Sequence, residues 1–359
     1  MPLSWHRKVG PLACPPHNRT GYGTHPQATS ATGRPRRIRY MQSLSRYIFP
    51  VLVALFAAAC LYGLRGDIAQ ISLAPLVHAW DWVALAVLCS LLNYAVRIVR
   101  WQRYLAKLGR SLPLGFTTLT YLAGFAFTVS PGKVGEMARA RYYSRLGVSL
   151  ADVAGAFFVE RLMDVMAMMV LAALIVAALP AYHLVMWSAG AMVLVTLIML
   201  AVLPWSTLAG KLAGGTHLPR VVIRVGVGVA QALVAARSLL SPGALLFGFV
   251  LGLIAWGLEG LGLYALGSMF PATHLAASTG VGIYAVAVLA GAVSFLPGGL
   301  GSTEAVMTAL LTAQGLAVGD ALLMTIVCRL VTLWFAVLIG WGAVFTLRNR
   351  LTPMVSSWP

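Results

Sequence analysis

The chain has 359 residues, of which 60% are hydrophobic and only 10% are charged, and its mean hydropathy is +0.85. In a soluble globular domain about a quarter of all residues are charged, so this composition excludes that class and indicates a polytopic membrane protein. The net charge of +17 lies in the N-terminal segment and in short loops beside apolar segments. That distribution is typical of membrane topology rather than of nucleic-acid binding.

The N-terminal segment, residues 1–40, has repeated Pro, Gly and Arg and no acidic residue, which predicts a disordered basic segment. A membrane domain is predicted over residues 41–350, followed by a short tail at 351–359. Met41 precedes a basic flank and an apolar run, so it is a candidate translation start.

The cysteines and histidines are scattered and form no CxxC, HExxH or HxxxH pattern. The cysteines are expected to be small buried hydrophobic residues. We therefore predict no structural metal and no cofactor.

Six apolar segments are long enough to cross a hydrocarbon core of about 30 Å. The predicted spans cover residues 47–64, 81–99, 153–179, 184–203, 243–267 and 321–346. Basic residues follow the second span at Arg100, Arg103, Lys107 and Arg110, which marks a cytoplasmic side.

Two further apolar segments, residues 113–130 and 279–296, each run into a Pro-Gly element. A full crossing by the first would place the basic stretch 133–145 outside the cell, so we predict two re-entrant helical hairpins. The fold class is then all-α, with six full transmembrane helices plus these hairpins and both termini cytoplasmic. The alternative is eight transmembrane helices.

The segment 221–240 carries polar residues with helical spacing. Arg224, Gln231 and Ser238 recur every seven residues, which places them on one helix face. This pattern favours an amphipathic helix lying in the membrane interface.

An internal repeat relates two units, residues 113–179 and 279–346. The same residue types recur with the same separations of 16 and 9 residues: Glu136, Asp152 and Arg161 in the first unit, and Glu304, Asp320 and Arg329 in the second. The predicted spans start the two units on opposite sides of the membrane, which is an inverted-topology repeat of the kind found in transporters.

The repeat predicts charged groups deep in the bilayer. Nine residues of helix carry Arg161 and Arg329 about 13 Å inward from the membrane surface. A lone charge at that depth costs at least about 2.5 to 3.5 kcal/mol, so partners or water must surround it. Glu136 and Glu304 are the expected partners, and Asp164 lies three residues from Arg161 on the same helix.

The Pro-Gly elements predict breaks at which new half-helices start with free backbone N–H groups. Two such helix N-termini, with the arginines, favour an anion, and a phosphate head group is the natural anion in lipid. The alternatives are ordinary loop turns at the Pro-Gly elements and arginines that only hold helices together. Glu259 lies within the span 243–267, where it either lines the same cavity, pairs with an arginine or is neutral.

Other polar residues near the apolar segments are interpreted through topology. From their position alone, Arg139, Arg141 and Arg145 are more readily explained as inside-positive markers than as ligands. Trp101 and Arg103 are expected to anchor their helix at the membrane interface.

Several motifs together resemble the lysylphosphatidylglycerol synthase transmembrane-region family, a flippase-like domain. They are "NYAVRIVRWQRYL", "SPGKVGEMARA", "VERLMD", "LPGGLGSTEA" and "CRLV", and the resemblance extends over residues 44–347. It implies a lipid-handling protein of the bacterial inner membrane. No soluble synthase domain follows Leu351, so aminoacyl transfer to phosphatidylglycerol is expected to be absent.

The resemblance and the repeat together give the expected site residues, none of them catalytic. The predicted substrate-binding residues are Pro131, Gly132, Gly135, Glu136, Arg139, Glu160, Arg161, Asp164, Pro297, Gly298, Gly299, Gly301, Glu304 and Arg329.

The function expected from the sequence is translocation, or facilitated transport, of an anionic phospholipid or a lipid-linked head group. A membrane glycosyltransferase or lipid-modifying enzyme is one alternative, with Glu136, Asp164 and Glu304 as its carboxylates. A scaffold that docks other proteins through residues 221–240 is another. The expected partner is membrane phospholipid and not nucleic acid, and a homo-oligomer or an envelope-protein partner remains open.

Overall fold

The structure, a computed structural model, describes residues 74–176, 183–214, 219–270 and 275–355, all within one compact unit, residues 53–359. The described part is helical and contains no strand, which confirms the all-α class. The predicted disordered segment 1–40, the predicted span 47–64 and residues 356–359 of the tail lie outside the described residues.

The helices follow the apolar segments of the sequence. In chain order they are α1 (Ala74–His78), α2 (Trp80–Lys107), α3 (Leu114–Phe125), α4 (Ala140–Ser144), α5 (Leu150–Val176), α6 (His183–Val202), α7 (Trp205–Ala213), α8 (Arg220–Ser238), α9 (Pro242–Gly267), α10 (Ala277–Val293), α11 (Ser302–Ala313), α12 (Val318–Arg329) and α13 (Phe335–Val355). Short 3-10 helices cover Pro131–Arg139 and Pro297–Gly299, and a π-helical turn at Leu330–Trp334 joins α12 to α13.

Helices long and apolar enough to cross a membrane occur at three of the six predicted spans, and α5, at the predicted span 153–179, is not among them. They are α2, α9 and the continuous helix Val318–Asn349, while α6 and α7 form a pair bent by 70°. The chain is therefore a multi-pass membrane protein. Helix α8 also passes the same test of length and composition, so the predicted number of six crossings stays a prediction.

Helices α3 and α10 have the form that re-entrant hairpins require. They contain 12 and 17 residues, or about 18 and 26 Å at 1.5 Å per residue, which is less than the hydrocarbon thickness. Each helix ends before a Pro-Gly break and is followed by further short helical segments, Pro131–Arg139 in one case and α11 in the other.

Each hairpin packs on the long helix of the other repeat unit, α3 on α13 and α10 on α5. The first contact depends on Gly340, because a Cβ there would lie 2.2 Å from the backbone nitrogen of Ala126. In the second contact, a Cβ at Gly282 would lie 2.6 Å from Cγ2 of Ile175. The two units are thereby interlocked, which brings both Pro-Gly breaks to one place.

Helix α8 packs along α5, where a Cβ at Gly155 would lie 2.6 Å from the carbonyl oxygen of Ala232. The predicted polar face of α8, with Arg224, Gln231 and Ser238, is exposed. The interfacial orientation of this helix stays a prediction, because its composition also allows a crossing.

Candidate functional site

The first Pro-Gly break forms a tight turn after α3. Gly132 and Lys133 have φ of 59° and 56°, in the left-handed region that glycine adopts freely and lysine adopts at a cost. The backbone N–H of Gly135 donates a hydrogen bond of 2.6 Å to the Ser130 hydroxyl. This bond closes the turn around Lys133.

In the second Pro-Gly break, the positive-φ positions after Pro297 are all glycines. Gly298, Gly299 and Gly301 have φ of 61°, 66° and 85°, and the N–H of Gly301 donates 2.6 Å to the Glu304 carboxylate. A Cβ at Gly298 would lie 3.4 Å from Cα of Val129. The two breaks are thus in contact.

A cavity of about 270 Å³ lies beside the meeting point of the breaks, between α2, α5, α9, α10 and the π-helical turn. Of the predicted site residues, those that line the cavity are Gly132, Arg161, Asp164, Gly298, Gly299 and Arg329. The remaining ones lie behind that lining, where they form the breaks or bind the arginines.

A buried ion-pair network lies behind the cavity on the side of the first repeat unit. Its centre is Glu160 of α5, which accepts hydrogen bonds from Arg100 at 3.2 Å and Arg139 at 3.0 Å. The Tyr121 hydroxyl donates to the same carboxylate at 2.5 Å. The Arg139 guanidinium carbon lies 3.7 Å from the ring centroid of Trp101, an arrangement that adds cation–π stabilisation.

Three of these residues correct the sequence interpretation. Arg100 and Arg139 are fully buried in ion pairs, so their interpretation as topology markers is wrong. Trp101 is also fully buried and donates its indole N–H to the Tyr143 hydroxyl at 2.8 Å, so it is not an interface anchor. The local sequence does not show this burial, because helix packing, rather than the charge pattern, decides which face of α2 is buried.

Arg161, the arginine predicted to lie deep in the bilayer in the first unit, has several acidic neighbours. Nη2 of Arg161 lies 3.1 Å from Asp164, 3.4 Å from Glu160 and 3.9 Å from Glu136. Asp164 also accepts 2.7 Å from Arg100, and Glu136 accepts 2.9 Å from the Thr128 hydroxyl. The predicted pairing within the helix is confirmed, and Glu136 is the most distant of the three carboxylates.

The corresponding arginine of the second unit has one acidic partner among the described residues. Arg329 donates through Nε to Glu304 at 2.6 Å, which confirms the predicted pair, and through Nη2 to the carbonyl of Gly298 at 2.6 Å. One guanidinium group therefore fixes both ends of the second break.

Several cations in the cavity lining keep unused hydrogen-bond donors within the described residues: Nε and Nη2 of Arg161, and two cations that the sequence analysis did not single out, Arg97 and Lys133. Arg97 of α2 is 4% exposed, with carboxylates of Asp164 and Glu160 at 3.8 and 4.0 Å, and its Nε and Nη2 donate no hydrogen bond within the described residues. Lys133 has no carboxylate within 4 Å in the same part of the chain, and its Nζ lies 5.1 Å from the Trp256 ring centroid. Sequence analysis missed both, although Lys133 directly follows a predicted site glycine.

Glu259 of α9 lines the cavity, which is one of the three possibilities that the sequence left open. It is 3% exposed and accepts hydrogen bonds from the Ser90 hydroxyl at 3.0 Å and from the Asn93 amide. Among the described residues, no arginine or lysine lies within 4 Å of it.

The charge of the lining is positive overall. Four cationic side chains, Arg97, Lys133, Arg161 and Arg329, face two carboxylates, Asp164 and Glu259. Since Glu304, just behind the lining, neutralises Arg329, the remaining excess is one positive charge, which in a low-dielectric site suits an anion. Within the described ranges, no group of three His, Cys, Asp or Glu side chains is placed to hold a metal ion.

Comparison with known protein families identifies this chain's family. The family described as "Lysylphosphatidylglycerol synthase TM region" matches residues 47–340, a range that includes the whole cavity lining. A search of curated proteins finds no match to the chain.

Proposed function

We propose a lipid-translocating function for this chain, which belongs to the lysylphosphatidylglycerol synthase transmembrane-region family. Membership of this family means that the chain is a membrane protein with a lipid-related function. The proposal adds that the phosphate of a phospholipid, or of a lipid-linked head group, binds in the cavity between the two Pro-Gly breaks. From there it passes between the two membrane leaflets.

The observation that carries the proposal is the presence of cations with unused hydrogen-bond donors in the cavity lining. A buried guanidinium that leaves donors unpaired is costly unless an acceptor joins it. Arg97 keeps two such nitrogens, and Lys133 has no acidic partner among the described residues. A phosphate group supplies several acceptor oxygens and a negative charge at the same position.

The ion-pair network supports a binding role for these cations. Arg100 and Arg139 neutralise Glu160, and Arg100 and Arg161 neutralise Asp164. The acids behind the cavity are therefore compensated without Arg97 and Lys133. Those two cations remain available for a ligand.

The rest of the lining suits a lipid. Apolar side chains of Met168, Val288, Leu296 and Leu333 lie around the charged groups. A ligand site that is mainly apolar with a few placed polar groups is typical for an amphipathic molecule. The proposed ligand is consequently the head group together with the start of its acyl chains.

The interlocked hairpins support movement of the bound lipid. In inverted-repeat transporters the site lies near the midplane, where discontinuous helices of the two halves meet. Here the break at Gly132 and the break at Gly298 both line the cavity. A shift of the two breaks relative to the long helices would open the cavity alternately to the two leaflets.

An enzymatic function has less support from the same contacts. The carboxylates considered for catalysis, Glu136, Asp164 and Glu304, each lie within 4 Å of an arginine. A carboxylate held in an ion pair is a poor general base. We therefore include in the proposal that the chain is not an enzyme.

The proposed location is the cytoplasmic membrane of a bacterium, with both termini cytoplasmic. The exposed basic residues Arg103, Arg141 and Arg145 support this orientation, because cytoplasmic loops carry an excess of Lys and Arg. The proposed partner is membrane phospholipid.

The test is lipid translocation by the purified full chain in proteoliposomes that contain a fluorescent phospholipid. Lys133→Gln removes the charge and leaves a somewhat shorter polar side chain at the same positive φ, and it is expected to slow translocation about tenfold or more. Lys133→Arg should restore much of the rate. Arg141→Gln, at an exposed position outside the cavity, is the matched control and should behave as the parent protein. Equal rates for Lys133→Gln and the control would refute the proposal.

A further inference from the structure

We infer that the cavity takes a zwitterionic head group, with a phosphate at Lys133 and Arg97 and a primary ammonium at Glu259. The inference rests on the proposed function and names the substrate class of that site. It starts from Glu259, a buried carboxylate in the cavity whose presence the binding of an anion does not explain.

Glu259 differs from the other buried carboxylates of the described residues. Glu136, Glu160 and Asp164 each have an arginine within 4 Å, whereas Glu259 has only the neutral donors Ser90 and Asn93. These donors hold the carboxylate in a fixed orientation. A buried carboxylate without a cation is costly in a membrane interior, so this position favours a positively charged ligand group.

Aromatic side chains surround this part of the cavity. Trp256 and Tyr284 line it with Glu259, and their ring centroids are 6.5 Å apart. The Trp256 indole N–H is buried and has no hydrogen-bond partner among the described residues. Aromatic faces beside a carboxylate form a typical environment for an ammonium group.

Lys133 and Glu259 are not partners of each other in this structure. Both line one cavity of about 270 Å³, yet no ion pair within 4 Å joins them, and the Lys133 ammonium lies over the Trp256 ring instead. Within the cavity, Lys133 and Glu259 thus each lack a partner of opposite charge. A head group with a phosphate and an ammonium supplies both.

A purely anionic head group fits this arrangement less well. It would neutralise Lys133 and Arg97 but leave Glu259 unpaired and close to the added negative charge. Discrimination between two lipids comes from such an uncompensated charge as much as from the contacts that are made. The carboxylate is therefore the specificity-determining group of the proposed site.

The experiment measures binding of two short-chain phospholipids, phosphatidylethanolamine and phosphatidylglycerol, to the purified full chain in detergent. The parent protein is expected to prefer phosphatidylethanolamine. Glu259→Gln should weaken its binding about tenfold or more and leave phosphatidylglycerol binding unchanged or tighter. Glu259→Asp, which keeps the charge, should retain part of the preference.

Asp320→Asn is the matched control, because it makes the same carboxylate-to-amide change at the start of α12, outside the cavity. It should not alter the ratio of the two affinities. An unchanged ratio in Glu259→Gln, with the variant still folded, overturns the inference. A change of equal size for both lipids also overturns it.

Failure of the underlying proposal has a different signature. In that case neither lipid binds the parent protein specifically, and Lys133→Gln has no effect on either one. Loss of both lipids in Lys133→Gln, with loss of phosphatidylethanolamine alone in Glu259→Gln, supports the two proposals together.

Discussion

Arg161 and Arg329 occupy equivalent positions in the repeat, yet their surroundings differ. Arg161 lies near three carboxylates and its side chain is 20% exposed toward the cavity. Arg329 makes two hydrogen bonds of 2.6 Å, to Glu304 and to the carbonyl of Gly298. The first arginine belongs to a shared network, whereas the second holds its own break in place.

The two breaks also differ in the residue type that their backbone places at positive φ. The first break places Lys133, a side chain with a charge, at a positive φ, where the second break has Gly299. Strain of this kind persists where the surrounding structure enforces it, and it is common at ligand sites. A duplicated element has therefore diverged into one copy that presents charge and one that uses its charge internally.

The largest expected effect is the difference between the two repeat units in the side of the membrane from which they are labelled. Arg141→Cys and Gln314→Cys, each in a background without the native cysteines, should react with a membrane-impermeant maleimide from opposite sides of intact cells. Both positions are exposed. Arg103→Cys is the control for the side of Arg141. Labelling of positions 141 and 314 from the same side would exclude an inverted repeat.

The next effect separates the two arginines by stability. Arg329→Ala leaves Glu304 and the Gly298 carbonyl without their donor, and we expect destabilisation by about 3 kcal/mol. Arg161→Ala should cost less, because Arg97, Arg100 and Arg139 still surround the acids. Thermal unfolding in detergent measures both. Equal losses of stability would show that the two arginines contribute equally to the folded state.

A smaller effect concerns how the hairpins dock. Gly340→Ala places a Cβ against the backbone of Ala126, which directly follows α3 and cannot move separately, so we expect a loss of about 1 to 3 kcal/mol. Gly282→Ala meets the side chain of Ile175, which can rotate away. Its loss in the same unfolding assay should be smaller. The reverse order would mean that the first hairpin adjusts more easily than the second.

The smallest effect is expected at the aspartates that start the long helices. Asp152 forms an ion pair of 3.0 Å with Arg110, whose side chain is 41% exposed. Asp152→Asn should therefore lower the free energy of unfolding by less than about 1 kcal/mol. High salt should reduce that difference further. Asp320→Asn, at the equivalent position, serves as the reference. A loss well above this size would place the Asp152 pair in a dry environment.

Much of the fold could be predicted because its signals are local. Apolar runs predicted the positions of α2, α5, α6, α9 and the helix from Val318 to Asn349. The Pro-Gly elements predicted both helix breaks, because proline and glycine act on the backbone at their own positions. Repeat spacing also predicted the pair of Arg329 and Glu304, which lie 25 residues apart within one unit.

The sequence by itself determined the membrane class, the helices and the internal repeat, since hydrophobic length and backbone chemistry act over a few residues. Only the tertiary structure decided which charges are buried and which remain open to the cavity. Arg100 and Arg139 converge on Glu160 from α2 and from the first break, and Glu259 meets Ser90 across 169 residues of chain. Such contacts follow from which helix faces meet, and a charged residue in an apolar segment looks the same whether its partner is a carboxylate, a lipid or water.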